Sequence, residues 1–241
     1  MYYCIEKLLT TLLNLIFPIQ CLNCGKEDLW LCKKCLSSIQ LNEQKTCPIC
    51  NTIGYNNGSV CPICQKTFCL DKVFIAAPYE NELIQKLIKT FKYNFVKDLA
   101  KPIAEIMINY LKKMFLINKL SYYPINVISS PLSKKRLHWR GFNQSELLAQ
   151  EVVLKLNLNY QPNLIIKKKN TKEQAELNRK DRLNNIKNAF ILYKKNQPEI
   201  SGQSFLLIDD VITTGATLGE MAKVLKSNGA KEVWALVVAK N

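Results

Sequence analysis

The chain has 241 residues, 48% of them hydrophobic, and a formal net charge of +15. That length supports one sizeable core, or a core domain with a small appended module. The charge favours anionic partners such as nucleic acid, phosphorylated metabolites or anionic membrane, or else marks a solvated lysine-rich surface. Ten cysteines are enough for a secreted disulfide scaffold, but eight of them fall into four C-x-x-C pairs between residues 21 and 64. Bridges of a disulfide framework would be spread along the chain, so the layout points to a reducing cytoplasm.

In chain order, Ile5, Leu8, Leu9, Leu12, Leu13 and Ile16 recur on one face of a helix. The apolar run Leu8 to Ile19 is shorter than the ~20 residues that span a bilayer, and neither a basic leader nor a small-residue cleavage site accompanies it. An amphipathic helix over 1–19, packed on its own protein or a partner, is expected, with no transmembrane segment.

A cysteine-rich module follows over 20–70. Cys21-x-x-Cys24 with Cys32-x-x-Cys35 can close one tetrahedral site, and Cys47-x-x-Cys50 with Cys61-x-x-Cys64 a second. Interleaving of the first pair with the third is the open alternative. Four thiolates leave no position for water, so the expected zinc is structural, with buried or redox thiols and an iron–sulfur cluster as the weaker readings of this spacing. Gly25 suits the turn that aims backbone N–H groups at thiolate. Cys4 and Cys69, outside the pairs, read as ordinary buried thiols.

An α/β domain is expected over 71–241. Leu83 to Phe91 and Leu99 to Leu111 carry amphipathic helices, with Pro102 in the first turn of the second. Val127 to Ser130 reads as a strand. Asn143 and Glu146 suggest a capped helix through Leu156, with Leu147, Leu148 and Val152 buried. Residues 167–188 read as a long loop or a loop plus a helix. Strand Phe205 to Ile208, a helix from Leu218 to Leu225 ended at Asn228-Gly229, and strand Val233 to Val238 complete a parallel sheet flanked by helices.

The segment from Phe205 to Thr217 has a clear physical logic. An apolar strand delivers Asp209 and Asp210 to its carboxyl end, and a turn of small residues opens a helix. Backbone N–H groups of that turn can cradle a phosphate, helped by hydroxyls of Thr213, Thr214 and Thr217. Gly215 allows close backbone approach. The two acids suit ribose hydroxyls, or magnesium reached through water. The segment resembles the signature of type I phosphoribosyltransferases. That resemblance implies a phosphoribosyl-pyrophosphate (PRPP) site in which Asp209 and Asp210 hold the ribose and Thr213, Thr214, Gly215, Ala216 and Thr217 hold the 5′-phosphate. Purine-salvage members place an acid where this chain has Thr213, which weakens a purine-salvage reading.

Ser129 and Ser130 end a strand and lead into a basic stretch containing Arg136 and Arg140. Arginine forks suit pyrophosphate oxygens. By the same resemblance this strand end forms the pyrophosphate loop, with the basic loop after it. His138, the single histidine, reads as a phosphate contact or a packing residue. Arg140-Gly141-Phe142-Asn143-Gln144, together with Thr171, Gln174, Leu177, Arg182, Asn185, Ala189 and Phe190, is similar to the ComF family of competence-associated proteins. Ser129-Ser130 departs from the proline and valine that many members carry there. The resemblance spans nearly the whole chain. It implies a double zinc ribbon fused to a phosphoribosyltransferase domain, Mg²⁺ with PRPP, and a flexible loop closing through Gln174 and Arg182. It further implies handling of single-stranded DNA during natural transformation, beside a competence helicase. A nucleic-acid adaptor with a non-catalytic or regulatory PRPP site is the alternative.

Overall fold

The computed structural model describes residues 18–114, 124–168, 186–193 and 199–241. The N-terminal helix expected before Pro18, Cys4, and the segment with Gln174 and Arg182 lie outside the described residues. No described helix is long and apolar enough to cross a membrane. The chain forms two compact units, residues 1–40 and 41–241. The first two cysteine pairs therefore belong to the smaller unit and the last two to the larger.

In the smaller unit, the Gly25 N–H bonds back to the Cys21 carbonyl at 2.9 Å. Gly25 takes φ +73°, as the expected turn requires. Helix α1 (Lys33–Ser37) begins where the Cys32 sulfur accepts the Cys35 N–H.

In the larger unit, helix α2 (Pro62–Phe68) follows Cys61, whose sulfur caps it in the same manner. Strand β1 (Lys72–Pro78), helix α3 (Glu82–Tyr93), a 3₁₀ turn (Lys97–Leu99) and helix α4 (Ala100–Lys113) come next. Strand β2 (Ile125–Ser129), helices α5 (Lys134–Arg140) and α6 (Gln144–Leu156), and short strands β3 (Asn159–Tyr160), β4 (Ile165–Lys167) and β5 (Phe190–Leu192) continue the chain. It closes with β6 (Ser204–Ile212), α7 (Ala216–Lys226) and β7 (Glu232–Lys240).

The main sheet has the order β1-β7-β6-β2-β3, and every adjacent pair is parallel. Its central strands are near-continuous apolar runs because both faces are covered. Phe205 and Leu207 of β6, with Val233, Ala235 and Val237 of β7, share a core with α7 and α2. Alternation turns Leu206 and Ile208 to the opposite face, where α4 and α6 pack together. Edge strand β1 is shielded by the segment before it: Asn42 N–H donates to the Ala76 carbonyl at 2.9 Å. The Gln44 side chain donates to the Val73 carbonyl at 3.1 Å and accepts the Ile75 N–H at 3.2 Å.

Three expectations need correction. Cys69 is half-buried, at the left-handed end of α2, rather than buried. The basic stretch after Ser133 is a helix, not a loop. The Ser133 hydroxyl accepts the Arg136 N–H at its start, and Gly141 ends it in the left-handed region. Leu147 is half-buried, while Leu148 and Val152 are buried as expected.

Candidate functional site

The cysteines gather into two groups of four, Cys21, Cys24, Cys32 and Cys35, and Cys47, Cys50, Cys61 and Cys64. Within each group all four sulfurs lie within 4.8 Å of one another, so the interleaved pairing is ruled out. Tetrahedral Zn²⁺ with sulfur at about 2.3 Å spaces its ligands by about 3.8 Å. Cys24 and Cys32 Sγ stand 3.7 Å apart, and Cys50 and Cys61 Sγ 3.6 Å. Backbone N–H groups also aim at sulfur: Cys32 N–H reaches Cys21 Sγ at 3.4 Å, and Cys61 N–H reaches Cys47 Sγ at 3.4 Å. In the second group the Thr52 hydroxyl and N–H bring Cys50 down to about 6, while burial and the sulfurs of Cys50 and Cys61 push Cys64 up. Thiols in such conflict fit a divalent cation, which stabilises all four as thiolates. Each cluster could hold a zinc.

A cavity of about 650 Å³ opens at the carboxyl ends of β6 and β2. Its acidic floor is Asp209 and Asp210, which β6 delivers side by side. Asp209 Oδ1 accepts the Ser145 hydroxyl at 2.7 Å and the Asp210 N–H at 2.9 Å. Desolvation by burial and the neighbouring Asp210 nevertheless push the Asp209 carboxyl up to about 6. Asp210 is buried and turns the other way. Its Oδ2 pairs with Lys92 Nζ at 2.9 Å, and its Oδ1 accepts the Val211 N–H at 2.7 Å.

The turn after β6 brings Thr213, Gly215, Ala216 and Thr217 to the cavity wall. Gly215 takes φ +80° at the start of α7, a conformation that disfavours a side chain. Thr214 is buried beneath the turn, and its hydroxyl accepts the Ala216 N–H at 3.4 Å.

Cations make up much of the remaining lining. They are Lys135, Arg136 and Arg140 of α5, with Lys89 and Lys92 of α3 and Lys167 of β4. Burial and Arg136 pull Lys167 down to about 8. Arg140 is only 7% exposed and donates to Gln144 Oε1. Its Nε has no hydrogen-bond partner among the described residues. Burial pulls its pKa down, opposed by the charge of Asp210. Its guanidinium lies 6.0 Å from the Tyr93 ring centre and 5.9 Å from that of Trp139, close enough for cation–π attraction. A buried guanidinium with an unsatisfied N–H is a ready partner for phosphate oxygens.

The structure thus brings together Asp209, Asp210, Thr213, Gly215, Ala216, Thr217, Ser130, Arg136 and Arg140 around one cavity. Ser129 stands apart from this lining; its hydroxyl meets Tyr160 OH at 3.1 Å. Ser130 is fixed by an N–H bond to the Ile208 carbonyl at 2.9 Å, and its own carbonyl accepts Asn143 Nδ2 at 3.0 Å. Phe142 packs in the core against Phe91, whereas His138 is exposed. Sequence reasoning missed Lys92, Lys167 and Ser145, because none lies in a local pattern that marks the site. Carboxylates beside a glycine turn at a helix start, facing cations, suit a hydroxylated ligand with more than one phosphate.

The phosphoribosyl transferase domain family matches residues 143–241. The structure of a Staphylococcus aureus hypoxanthine phosphoribosyltransferase aligns at 12% identity and TM-score 0.38, covering 58% of this chain and 63% of that one. The Escherichia coli O6:H1 "DNA utilization protein YhgH" is 29% identical over 86% of this chain and 96% of its own length. The Streptococcus pneumoniae "Competence protein ComFC" is 28% identical over 86% of each. The "Competence protein F" of Haemophilus influenzae is 32% identical over 92% of this chain and 98% of its own length. That match runs through both cysteine clusters and the strand, turn and helix around Asp209, and the chain belongs to the ComF family.

Proposed function

We propose that this chain binds PRPP with Mg²⁺ in the cavity and acts in the handling of single-stranded DNA during natural transformation. The observation that carries the reading is the convergence of three chemistries on one cavity: paired carboxylates, a glycine turn that opens a helix, and a set of cations with the buried Arg140. Asp209 and Asp210 would orient the ribose through its hydroxyls. The turn Thr213–Thr217 would hold the 5′-phosphate, and Ser130, Arg136 and Arg140 the pyrophosphate. Mg²⁺ would neutralise charge on the departing pyrophosphate. Gln174 and Arg182 would close over the site and exclude water. The DNA part draws support from the relatives' names, the net charge of +15 and the exposed rings of Tyr93 and Trp139 near these cations. A competence helicase and a cytoplasmic setting belong to the same proposal.

Calorimetry with Mg-PRPP tests the first part. Saturable binding to the wild-type chain, lost on joint replacement of Asp209 and Asp210 by Asn, is expected; binding indifferent to those substitutions would refute it. A second reading, an adaptor whose PRPP site regulates without transfer, is favoured by Thr213. That residue offers no carboxylate for proton transfer at an acceptor base. Pyrophosphate release in the presence of single-stranded DNA or free bases separates transfer from regulation.

A further inference from the structure

We infer that Ile49 and Phe68 are positioning residues for the phosphate loop, so that metal at the second cysteine cluster and a phosphorylated ligand on the loop reinforce one another. The inference rests on the reading of residues 213–217 as a phosphate site.

The contact is direct. A Cβ placed on Gly215 would lie 3.0 Å from Ile49 Cδ1 and 3.7 Å from the Phe68 ring. One placed on Gly219, in the first turn of α7, would lie 2.6 Å from Phe68 Cδ1 and 3.2 Å from the Phe68 Cα. The bare backbone of the loop and of the helix start therefore rests on these two side chains. Both are buried in the same core as Ala216 and Leu218.

The cysteine cluster fixes both residues. Ile49 sits between two of its cysteines, Cys47 and Cys50. Phe68 ends α2, the helix that Cys61 caps and that carries Cys64. A polar tie runs in parallel. Lys240 Nζ donates to the Ile49 carbonyl at 3.2 Å and to Asn51 Oδ1 at 2.6 Å. Lys240 is also the strand partner of Ile212, the residue just before the loop. The knuckle thus holds the loop from beneath and beside it.

The physical consequence is linkage. A structural metal supplies the free energy that keeps such a knuckle folded. Without it, Ile49 and Phe68 lose their fixed places, and the loop N–H groups lose the support that keeps them convergent. Any free energy by which the metal favours phosphate binding must equally appear as metal retention when the ligand is bound.

The test withdraws zinc from the full chain at equilibrium with a chelator selective for zinc over magnesium, with and without Mg-PRPP. In the wild type Mg-PRPP should raise the chelator concentration that achieves half-release from one site roughly fivefold or more. Ile49→Ala and Phe68→Ala should retain metal, bind Mg-PRPP roughly tenfold more weakly, and lose the ligand's effect on release. Ile49→Val and Phe68→Leu should restore both properties. A general loss of packing would weaken the fold without abolishing the ligand's effect on zinc. If Phe68→Ala does not fold, Ile49→Ala alone carries the test. Wild-type binding of Mg-PRPP with zinc release unchanged would overturn the inference while leaving the proposed function intact. Absence of wild-type Mg-PRPP binding would overturn both.

Discussion

Asp209 sits in the cavity at a cost in stability. Burial and Asp210 raise its carboxyl to about 6, so the folded chain binds its proton more tightly than the unfolded chain does. The penalty is absent below the ordinary carboxylate range, grows as pH climbs through about 4 to 6, and is complete above that. Asp209→Asn keeps an oxygen for the Ser145 hydroxyl and removes the charge. It should stabilise the chain by about 1–2 kcal/mol at about pH 8 and by less at about pH 5, as urea unfolding at the two pH values would read. The same substitution should weaken Mg-PRPP binding, a trade between stability and function. The acids themselves were legible in the sequence, because a strand run, two acids and a glycine turn are contiguous. Lys92, which pairs with Asp210, was not. It lies on the polar side of an amphipathic helix, and only the tertiary fold brings it to the site.

Helix α5 shows why one element escaped the sequence reading. Lys134 to Arg140 carries no apolar period, so its charges suggested a loop. Two local devices make it helical nonetheless, the Ser133 cap and the left-handed Gly141. The helix supplies Arg136 and Arg140 to the cavity, so its integrity matters for the proposed binding. Ser133→Ala should cost about 1 kcal/mol of local stability, seen as faster amide hydrogen exchange over residues 136–140. It should weaken Mg-PRPP binding only modestly, since Arg140 is also held by Gln144. By contrast, β6, α7 and β7 were readable because apolar runs, the glycine turn and the Asn228-Gly229 ending agree with one another. The strands extend past the apolar runs, to Ile212 and Lys240, because backbone pairing continues beneath polar side chains.

At the scale of the whole molecule, the sequence carried the order of parts: cysteine pairs first, then an α/β domain. It did not carry the way the clusters divide between units, since burial of Ile49 and Phe68 against α7 is decided in three dimensions. The charge of +15 makes a further prediction. Single-stranded DNA binding should weaken at least tenfold between about 50 and 200 mM salt, and a flat response would count against phosphate contacts. The central claim, that the cavity floored by Asp209 and Asp210 is a PRPP site, is tested most directly by a crystal structure of the full chain with Mg-PRPP. The 5′-phosphate should lie within hydrogen-bond reach of the 213–217 turn, with the ribose hydroxyls against Asp209 and Asp210. PRPP bound elsewhere on the basic surface, with that turn and those acids untouched, would contradict the claim.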